Sequence, residues 1–264
     1  MLWQFRNTGR RTGSFNMEYD ERLAHSLVAS DSAFIVRVYG WNPPAISLGW
    51  HQDVNEIDGA GAAAAGIDVV RRPTGGRAIL HSDEVTYSVV MVASQKGVLT
   101  VYQSISEALT RGLSFLGAPV VLEKSQPHFP TLYRSPSAVA CFASAARYEI
   151  QIAGRKLVGS AQRRYARPDG QEVVLQHGSI LLGDDHLRIV DFMKQLDEHQ
   201  RVRMRQELRE KTVDLSSALG RRVEPDEVIT ALMRGFEEAW GIVFSAAESS
   251  QADASAVSFE AGIV

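Results

Sequence analysis

Two long β-patterned runs joined by a short turn constrain the fold of this chain most strongly. The runs cover residues 148–165 and 172–182, and Arg167-Pro168-Asp169-Gly170 lies between them. Such a turn sequence ends on glycine, the residue that adopts a positive φ without steric cost. The pattern therefore predicts a hairpin of long strands.

Shorter β-rich runs surround helical patterns in the rest of the chain. Residues 33–41 and 45–51 are separated by Asn42-Pro43-Pro44, so we expect two neighbouring strands. Further strands are predicted at 2–8, 67–72, 77–82 and 85–92. The mixture predicts an α+β fold, with a mixed, mostly antiparallel β-sheet flanked by helices.

Helix signals are of two kinds, caps and apolar spacing. Asn16 is the expected N-cap of the first helix, and a capping box from Thr100 to Gln103 opens another that Gly117 ends. Helices are also expected at 57–66, within 188–196 and at 228–240, the last ended by Gly241.

Composition sets the broad class. The 264 residues are 45% hydrophobic and 22% charged with a net charge of −3, which is typical of a globular protein and predicts no general attraction to nucleic acid or membranes. No window approaches the ~18 apolar residues of a membrane span, so we expect a cytoplasmic protein. Residues 1–245 are expected to form one catalytic domain, and the small polar residues 246–264 a mobile tail.

A single cysteine, Cys141, lies in a proline-rich stretch. It excludes an internal disulfide and a cysteine-rich zinc cluster. A lone cysteine is most often a small buried apolar side chain, so its position alone does not indicate catalysis.

A glycine pair between two predicted strands is the first candidate binding element. Gly75-Gly76 allows close approach of a ligand or a tight turn, and a plain turn is the more common use. Arg71, Arg72, Arg77 and His81 flank the pair, and this density of donors favours a loop that receives an anion or a polarised carbonyl.

A second candidate element follows the turn at Gly154-Arg155. Lys156 begins a strand that continues into Gly159-Ser160-Ala161, which are too small to fill a core and leave room for a narrow apolar chain. A lysine here more often extends to solvent. His177-Gly178 lies downstream; His81 and His177 are candidates for proton handling, although a structural histidine is the more common role.

Together these segments resemble the biotin/lipoate ligase-like superfamily. Residues 71–78, Arg-Arg-Pro-Thr-Gly-Gly-Arg-Ala, match its arginine- and glycine-rich loop, and the similarity continues through His81 and residues 86–88. Residues 154–161 are similar to its lysine-bearing motif, and the resemblance covers residues 1 to about 245. It implies the BPL/LPL catalytic fold.

Within that superfamily the chain is most similar to the Gram-positive-type octanoyltransferases that use a cysteine nucleophile. This resemblance implies that Cys141 is the nucleophile and that Lys156 lowers its pKa. The implied substrate-binding residues are Arg72, Gly75, Gly76, Arg77, His81, Gly159, Ser160, Ala161, His177 and Gly178.

The implied reaction carries an octanoyl group from octanoyl-acyl carrier protein to a lysine of a lipoyl-domain protein, such as the glycine cleavage H protein. It requires no cofactor and no metal, and it is compatible with a monomer. Two related alternatives remain: an ATP-dependent lipoate-protein ligase, which would use ATP and magnesium, and an octanoyl amidotransferase between lipoyl domains. A module that only binds acylated carriers is a non-enzymatic alternative.

Overall fold

The computed structural model describes residues 2–29, 33–93, 97–124, 148–194 and 196–245, and these contain ten strands and six α-helices. Cys141 and the tail 246–264 lie outside the described residues. The strands are β1 Trp3–Arg11, β2 Phe34–Trp41, β3 Ala45–Leu48, β4 Asp68–Arg71, β5 Ile79–His81, β6 Glu84–Ala93, β7 Val121–Glu123, β8 Glu149–Ile152, β9 Arg155–Ala166 and β10 Glu172–Leu181. The helices are α1 Gly13–Ala29, α2 Gly59–Ala64, α3 Val98–Ser114, α4 Glu198–Lys211, α5 Leu215–Leu219 and α6 Pro225–Trp240.

The strands form two sheets. Seven follow the order β1-β2-β6-β10-β9-β8-β7, and β4-β3-β5 form a smaller sheet. Only the β1–β2 and β3–β4 pairings are parallel among these. The expected α+β class with a mixed, mostly antiparallel sheet is therefore confirmed.

The large sheet has apolar residues on both faces, because each face is covered. On one face, α3 and α6 pack on a core that includes Val89, Leu109 and Phe236. The other face carries α1, which contacts β6 and β10. The small sheet forms a further core with α4 and the 3-10 segment Asp185–Phe192.

The expected hairpin is formed by β9 and β10. Glu172 pairs with Ala166, and the register continues to Ile180 opposite Val158. Gly170 has a φ of 80°, which fits the predicted need for glycine. This long ladder places residues 159–161 directly opposite residues 177–179.

Three local predictions were wrong. β2 and β3 are consecutive but belong to different sheets, because the chain leaves the large sheet at the Asn42-Pro43 turn. Asn16 is not an N-cap: it lies inside α1, where its side chain donates to the backbone oxygens of Arg11 and Gly40. Thr100 is not an N-cap: α3 begins at Val98, and its N-cap is Gly97, which makes no side-chain capping hydrogen bond. Thr100 therefore lies in the first turn of the helix.

The polar segment after residue 196 holds a helix that the sequence patterns did not predict. Asp197 and Gln200 form a capping box for α4, but few apolar residues mark the helix beyond them. In the described residues, no helix is long and apolar enough to cross a membrane.

Candidate active site

A cavity lined by residues of both sheets contains about 350 Å³ of free space, part of which is open to solvent. Its walls combine apolar rings and aliphatic chains with a few polar groups. The lining residues are Met17, Tyr39, Trp41, Ser47, Arg72, Ile79, His81, Thr86, Gly159, Ser160, Ala161, His177, Gly178 and Ser179.

Small residues on β9 and β10 make one wall of this cavity. Gly178 has no space for a side chain: a Cβ would lie 2.4 Å from the Gly159 carbonyl oxygen and 2.8 Å from Ser160 Oγ. Gly159 and Ala161 lie on the neighbouring strand. The strands can therefore pack closely, and their small residues lie along the cavity.

The glycine loop between β4 and β5 is held from inside by Arg72. This buried guanidinium donates to the carbonyl oxygens of Gly75 at 2.9 Å, Arg77 at 2.7 Å and Ser47 at 2.8 Å. Gly49 permits the close fit, since a Cβ there would lie 2.0 Å from the Gly76 carbonyl oxygen. Arg72 thus fixes the loop as well as lining the cavity.

The hydrogen bonds from Arg72 also affect the backbone N–H groups of the glycine loop. Gly75 and Gly76 are exposed, and no acceptor among the described residues is bonded to their N–H groups. In a trans peptide the N–H points away from the preceding carbonyl, so the bond from Arg72 to the Gly75 carbonyl turns the Gly76 N–H away from the guanidinium. Arg77 is half-buried beside the two glycines.

His177 connects the glycine loop to a buried carboxylate on α1. Its Nδ1 lies 3.2 Å from Asp20 Oδ2, and its Nε2 lies 2.7 Å from Thr74 Oγ1. A carboxylate only accepts, so Nδ1 carries the proton and Nε2 accepts from the threonine hydroxyl. Burial lowers the pKa of His177 and so favours this neutral form. Asp20 opposes the shift, because its charge and hydrogen bond raise the pKa.

Asp20 is the centre of this buried network. One oxygen accepts from Arg37 Nη1 at 2.7 Å and from Ser88 Oγ, and the other accepts from Tyr39 Oη at 3.0 Å and from His177. Burial would raise the pKa of Asp20, but the charge of Arg37 and these hydrogen bonds hold it below its ordinary value. No motif in the sequence predicted this network.

His81 occupies a similar arrangement on the other side of the cavity. Its Nδ1 lies 2.9 Å from Glu84 Oε1, its Nε2 lies 2.7 Å from Ser47 Oγ, and its ring stacks on Trp41 at 4.0 Å. Both ring nitrogens of His81 and of His177 are thus engaged within the protein. This supports the structural role for both histidines over proton transfer to a substrate.

Lys156 lies on β9, and it is buried against β8. Its Nζ is 2.7 Å from Glu149 Oε1. Gly159, Ser160 and Ala161 line the cavity on the same strand, whereas Lys156 does not contribute to the described wall. The predicted nucleophile Cys141 lies outside the described residues. Among the described residues, no group of three or more His, Cys, Asp or Glu side chains is arranged to hold a metal ion.

Comparison with known proteins identifies relatives of this chain. Residues 12–237 match the lipoyl protein ligase A/B catalytic domain. The octanoyltransferase LipM of Kyrpidia tusciae is 39% identical over 244 residues, which are 90% of this chain and 87% of that protein. The octanoyltransferase LipM of Bacillus subtilis is 34% identical over 256 residues, covering 94% and 90%.

Solved structures show the same fold at lower identity. A bipartite lipoate protein ligase from Thermoplasma acidophilum has a TM-score of 0.75 at 22% identity, covering 93% of this chain and 86% of that one. A lipoate-protein ligase A bound with ATP has a TM-score of 0.70 at 22% identity, covering 93% and 88%.

The chain therefore belongs to the lipoyl protein ligase A/B catalytic domain family. Its similarity over nearly the whole length to the octanoyltransferases confirms the expectation of an octanoyltransferase-type enzyme.

Several cavity residues were missing from the sequence-based site. Met17, Tyr39, Trp41 and Ile79 line the cavity, but in the sequence they read as ordinary apolar positions of a helix and strands. Ser47 is a small polar residue of a predicted strand, and the sequence assigned it no role. Only the packing of two sheets brings them together.

Proposed function

We propose that this enzyme transfers an octanoyl group from octanoyl-acyl carrier protein to a lysine of a lipoyl-domain protein, through a thioester on Cys141. The observation that carries the proposal is the cavity, with small residues along one wall and a clamped glycine loop next to Arg72. A narrow apolar space beside outward N–H groups suits an acyl chain whose carbonyl gains negative charge during transfer.

The reaction takes place in two steps. The Cys141 thiolate attacks the thioester carbonyl, a C–S bond forms, and the carrier thiolate leaves. The neutral amine of the acceptor lysine then attacks the acyl-enzyme, so an amide C–N bond forms and the C–S bond to Cys141 breaks. The sulfur leaves as a thiolate, and the proton lost by the amine passes to water. No bond change needs ATP or a metal ion.

The nucleophile must be a thiolate, and an ordinary cysteine with a pKa of about 8.5 is mostly protonated at neutral pH. In this proposal the Lys156 ammonium stabilises the anion. The N–H groups of Gly75 and Gly76 stabilise the oxyanion, and Arg72 preserves their orientation.

Two other reactions use a related fold. A ligase would form an acyl-adenylate with ATP, and an amidotransferase would take octanoyl from a lysine of another lipoyl domain. The 34–39% identity to octanoyltransferases supports the transferase, because the fold is shared with ligases at only 22% identity. A module that only binds acylated carriers would show affinity without turnover.

Mass spectrometry after incubation with octanoyl-acyl carrier protein tests the covalent step. We expect one octanoyl group on Cys141, transfer to a lipoyl-domain acceptor without ATP, and no transfer by Cys141→Ser. Activity that requires ATP and releases pyrophosphate would favour the ligase, and full activity of Cys141→Ser would refute the thioester. In Lys156→Ala, alkylation of this single cysteine should require higher pH.

A further inference from the structure

The geometry points to Glu149 as a positioning residue for Lys156: we propose that its carboxylate fixes the lysine ammonium, as an oriented donor, on the sheet face that carries the acyl cavity. This inference rests on the proposed function, because it assumes that Lys156 takes part in acyl transfer. Glu149 belongs to no motif identified in the sequence.

An irregularity in the β8–β9 ladder determines where Lys156 points. Ile150 pairs with Val158, but Gln151 pairs with Lys156, so Leu157 is an extra residue in β9. Such a bulge changes the face to which the following side chains point.

The burial pattern shows the result of this change. Leu157 and Val158 both belong to the core under α3 and α6. Regular alternation from Val158 would place Lys156 on that face too, whereas the bulge returns it to the face of Gly159 and Ala161. Those two residues line the cavity.

The backbone at Lys156 is fixed on both sides. Gln151 is its partner on β8, and Thr212 forms a bridge with it on the opposite side. The Val213 N–H donates to the Lys156 carbonyl oxygen at 3.0 Å. The side chain therefore leaves the sheet from a defined position.

Glu149 then determines the position of the ammonium. Lys156 Nζ lies 2.7 Å from Glu149 Oε1, and the side chains are only 7% and 4% exposed. Gln151 Nε2 donates to the second oxygen of Glu149 at 3.1 Å, which fixes the carboxylate in turn. A buried ammonium needs such a partner to keep its charge.

This pairing changes how Lys156 can act. The carboxylate offsets the positive charge at longer distances, so the main effect of Lys156 is a directed hydrogen bond at contact distance. The bond to Oε1 sets the orientation of the ammonium and therefore the directions of its N–H groups. Its orientation therefore matters as much as its charge.

The test measures octanoyl transfer and thermal unfolding in Glu149 variants of the full chain. We expect E149Q to lower kcat by about 10- to 100-fold, the scale of a misplaced catalytic group, with the KM for octanoyl-acyl carrier protein changed less than about threefold. E149D keeps the charge but shortens the side chain, so kcat should be intermediate. E172Q is the matched control: it breaks the Arg164–Glu172 pair at the far end of β9 and should keep wild-type kcat.

The exchange variant E149K/K156E separates positioning from stability. It retains one positive and one negative charge in the pair but moves the ammonium to β8. We expect its unfolding midpoint to exceed that of E149Q while its kcat stays at least tenfold below wild type. Recovery of kcat together with stability would mean that the pair is only structural, and wild-type kcat in folded E149D or E149Q would overturn the proposal.

K156A distinguishes failure of this inference from failure of the proposed function. Full transfer by K156A would remove Lys156 from the mechanism, whatever Glu149 does. An inactive K156A beside a fully active, folded E149Q would leave the mechanism in place and refute the role of Glu149.

Discussion

The buried Asp20 carboxylate offers the most quantitative test of the network behind the glycine loop. Asp20 and Arg37 are both 0% exposed and their charged groups lie 2.7 Å apart. In Asp20→Asn the side chain keeps its shape but loses its charge. Arg37 then remains buried without a counter-charge, and removing one partner of such a pair costs about 3–5 kcal/mol.

Hydrogen bonding makes the substitution worse in either orientation of the amide. Each carboxylate oxygen accepts two hydrogen bonds, one oxygen from Arg37 and Ser88 and the other from Tyr39 and His177. An amide has one oxygen, so its NH₂ group must face a pair of donors. For a chain of this size, 3–5 kcal/mol corresponds to a fall in Tm of roughly 6–20 °C.

Thermal unfolding followed by circular dichroism measures the effect. Glu238→Gln is the matched control, because Glu238 also contacts two arginines, Arg111 and Arg234, but at the surface, where ion pairs contribute little. We expect the control to change Tm by a few degrees at most. If Asp20→Asn changed Tm no more than the control, the network would not stabilise the fold as argued.

The same network gives the sign of the pH dependence. Burial alone would raise the pKa of Asp20, but Arg37 and the hydrogen bonds hold it below 3.8. A lowered carboxyl pKa contributes stability that is present above the unfolded value and lost as pH falls through the folded value. The difference in Tm between wild type and Asp20→Asn should therefore persist at pH 5 and shrink only in stronger acid.

Three further predictions follow from the site. Thr74→Val removes the hydroxyl that donates to His177 and leaves the buried Nε2 unpaired, so transfer activity should fall. Thr74→Ser keeps the hydroxyl and should keep the activity. Equal activity of the two variants in a transfer assay would contradict a role of Thr74 in holding the loop. Gly178→Ala places a Cβ 2.4 Å from a carbonyl oxygen, so we expect a lower Tm and less acyl-enzyme. Gly170→Asn at the β9–β10 turn is the control and should leave acylation unchanged. Burial lowers the pKa of His177 and of His186, so the folded protein takes up fewer protons on these residues than the unfolded chain, whose histidines titrate near pH 6.5. Tm should therefore fall as the pH is lowered from 7 to 5. A Tm that does not change over this range would refute the argument.

Elements with strong local signals were predictable. The β9–β10 hairpin follows from alternating residues and Gly170, and the end of α6 follows from Gly241, which has a φ of 62°. The assignment of β2 and β3 to separate sheets could not be predicted, because strand pairing depends on which strands are adjacent in space. α4 was missed because its mean composition is polar and only two of its residues, Met204 and Leu208, are buried.

The candidate site also contains parts that the sequence predicted and parts that it did not. The glycine loop and the small residues of β9 were recognised because packing alone does not explain glycine pairs or successive small residues. Asp20, Glu84 and Glu149 gained no assigned role in the sequence, because a carboxylate that is buried looks the same there as one at the surface. Their roles follow from distances across strands and helices that lie far apart in the chain.

The contacts of these three carboxylates also limit the chemistry available to their partners. Asp20 and Glu84 each engage a histidine Nδ1, and the opposite ring nitrogens face hydroxyl groups, so neither histidine presents a nitrogen to a substrate in this arrangement. Glu149 instead engages the Lys156 ammonium. In the proposed reaction the N–H groups of the glycine loop stabilise the oxyanion, and the Lys156 ammonium stabilises the Cys141 thiolate. Two histidines held in structural contacts are compatible with the proposed thiolate nucleophile, because a thiolate needs stabilisation of its charge and no histidine to remove its proton during the attack.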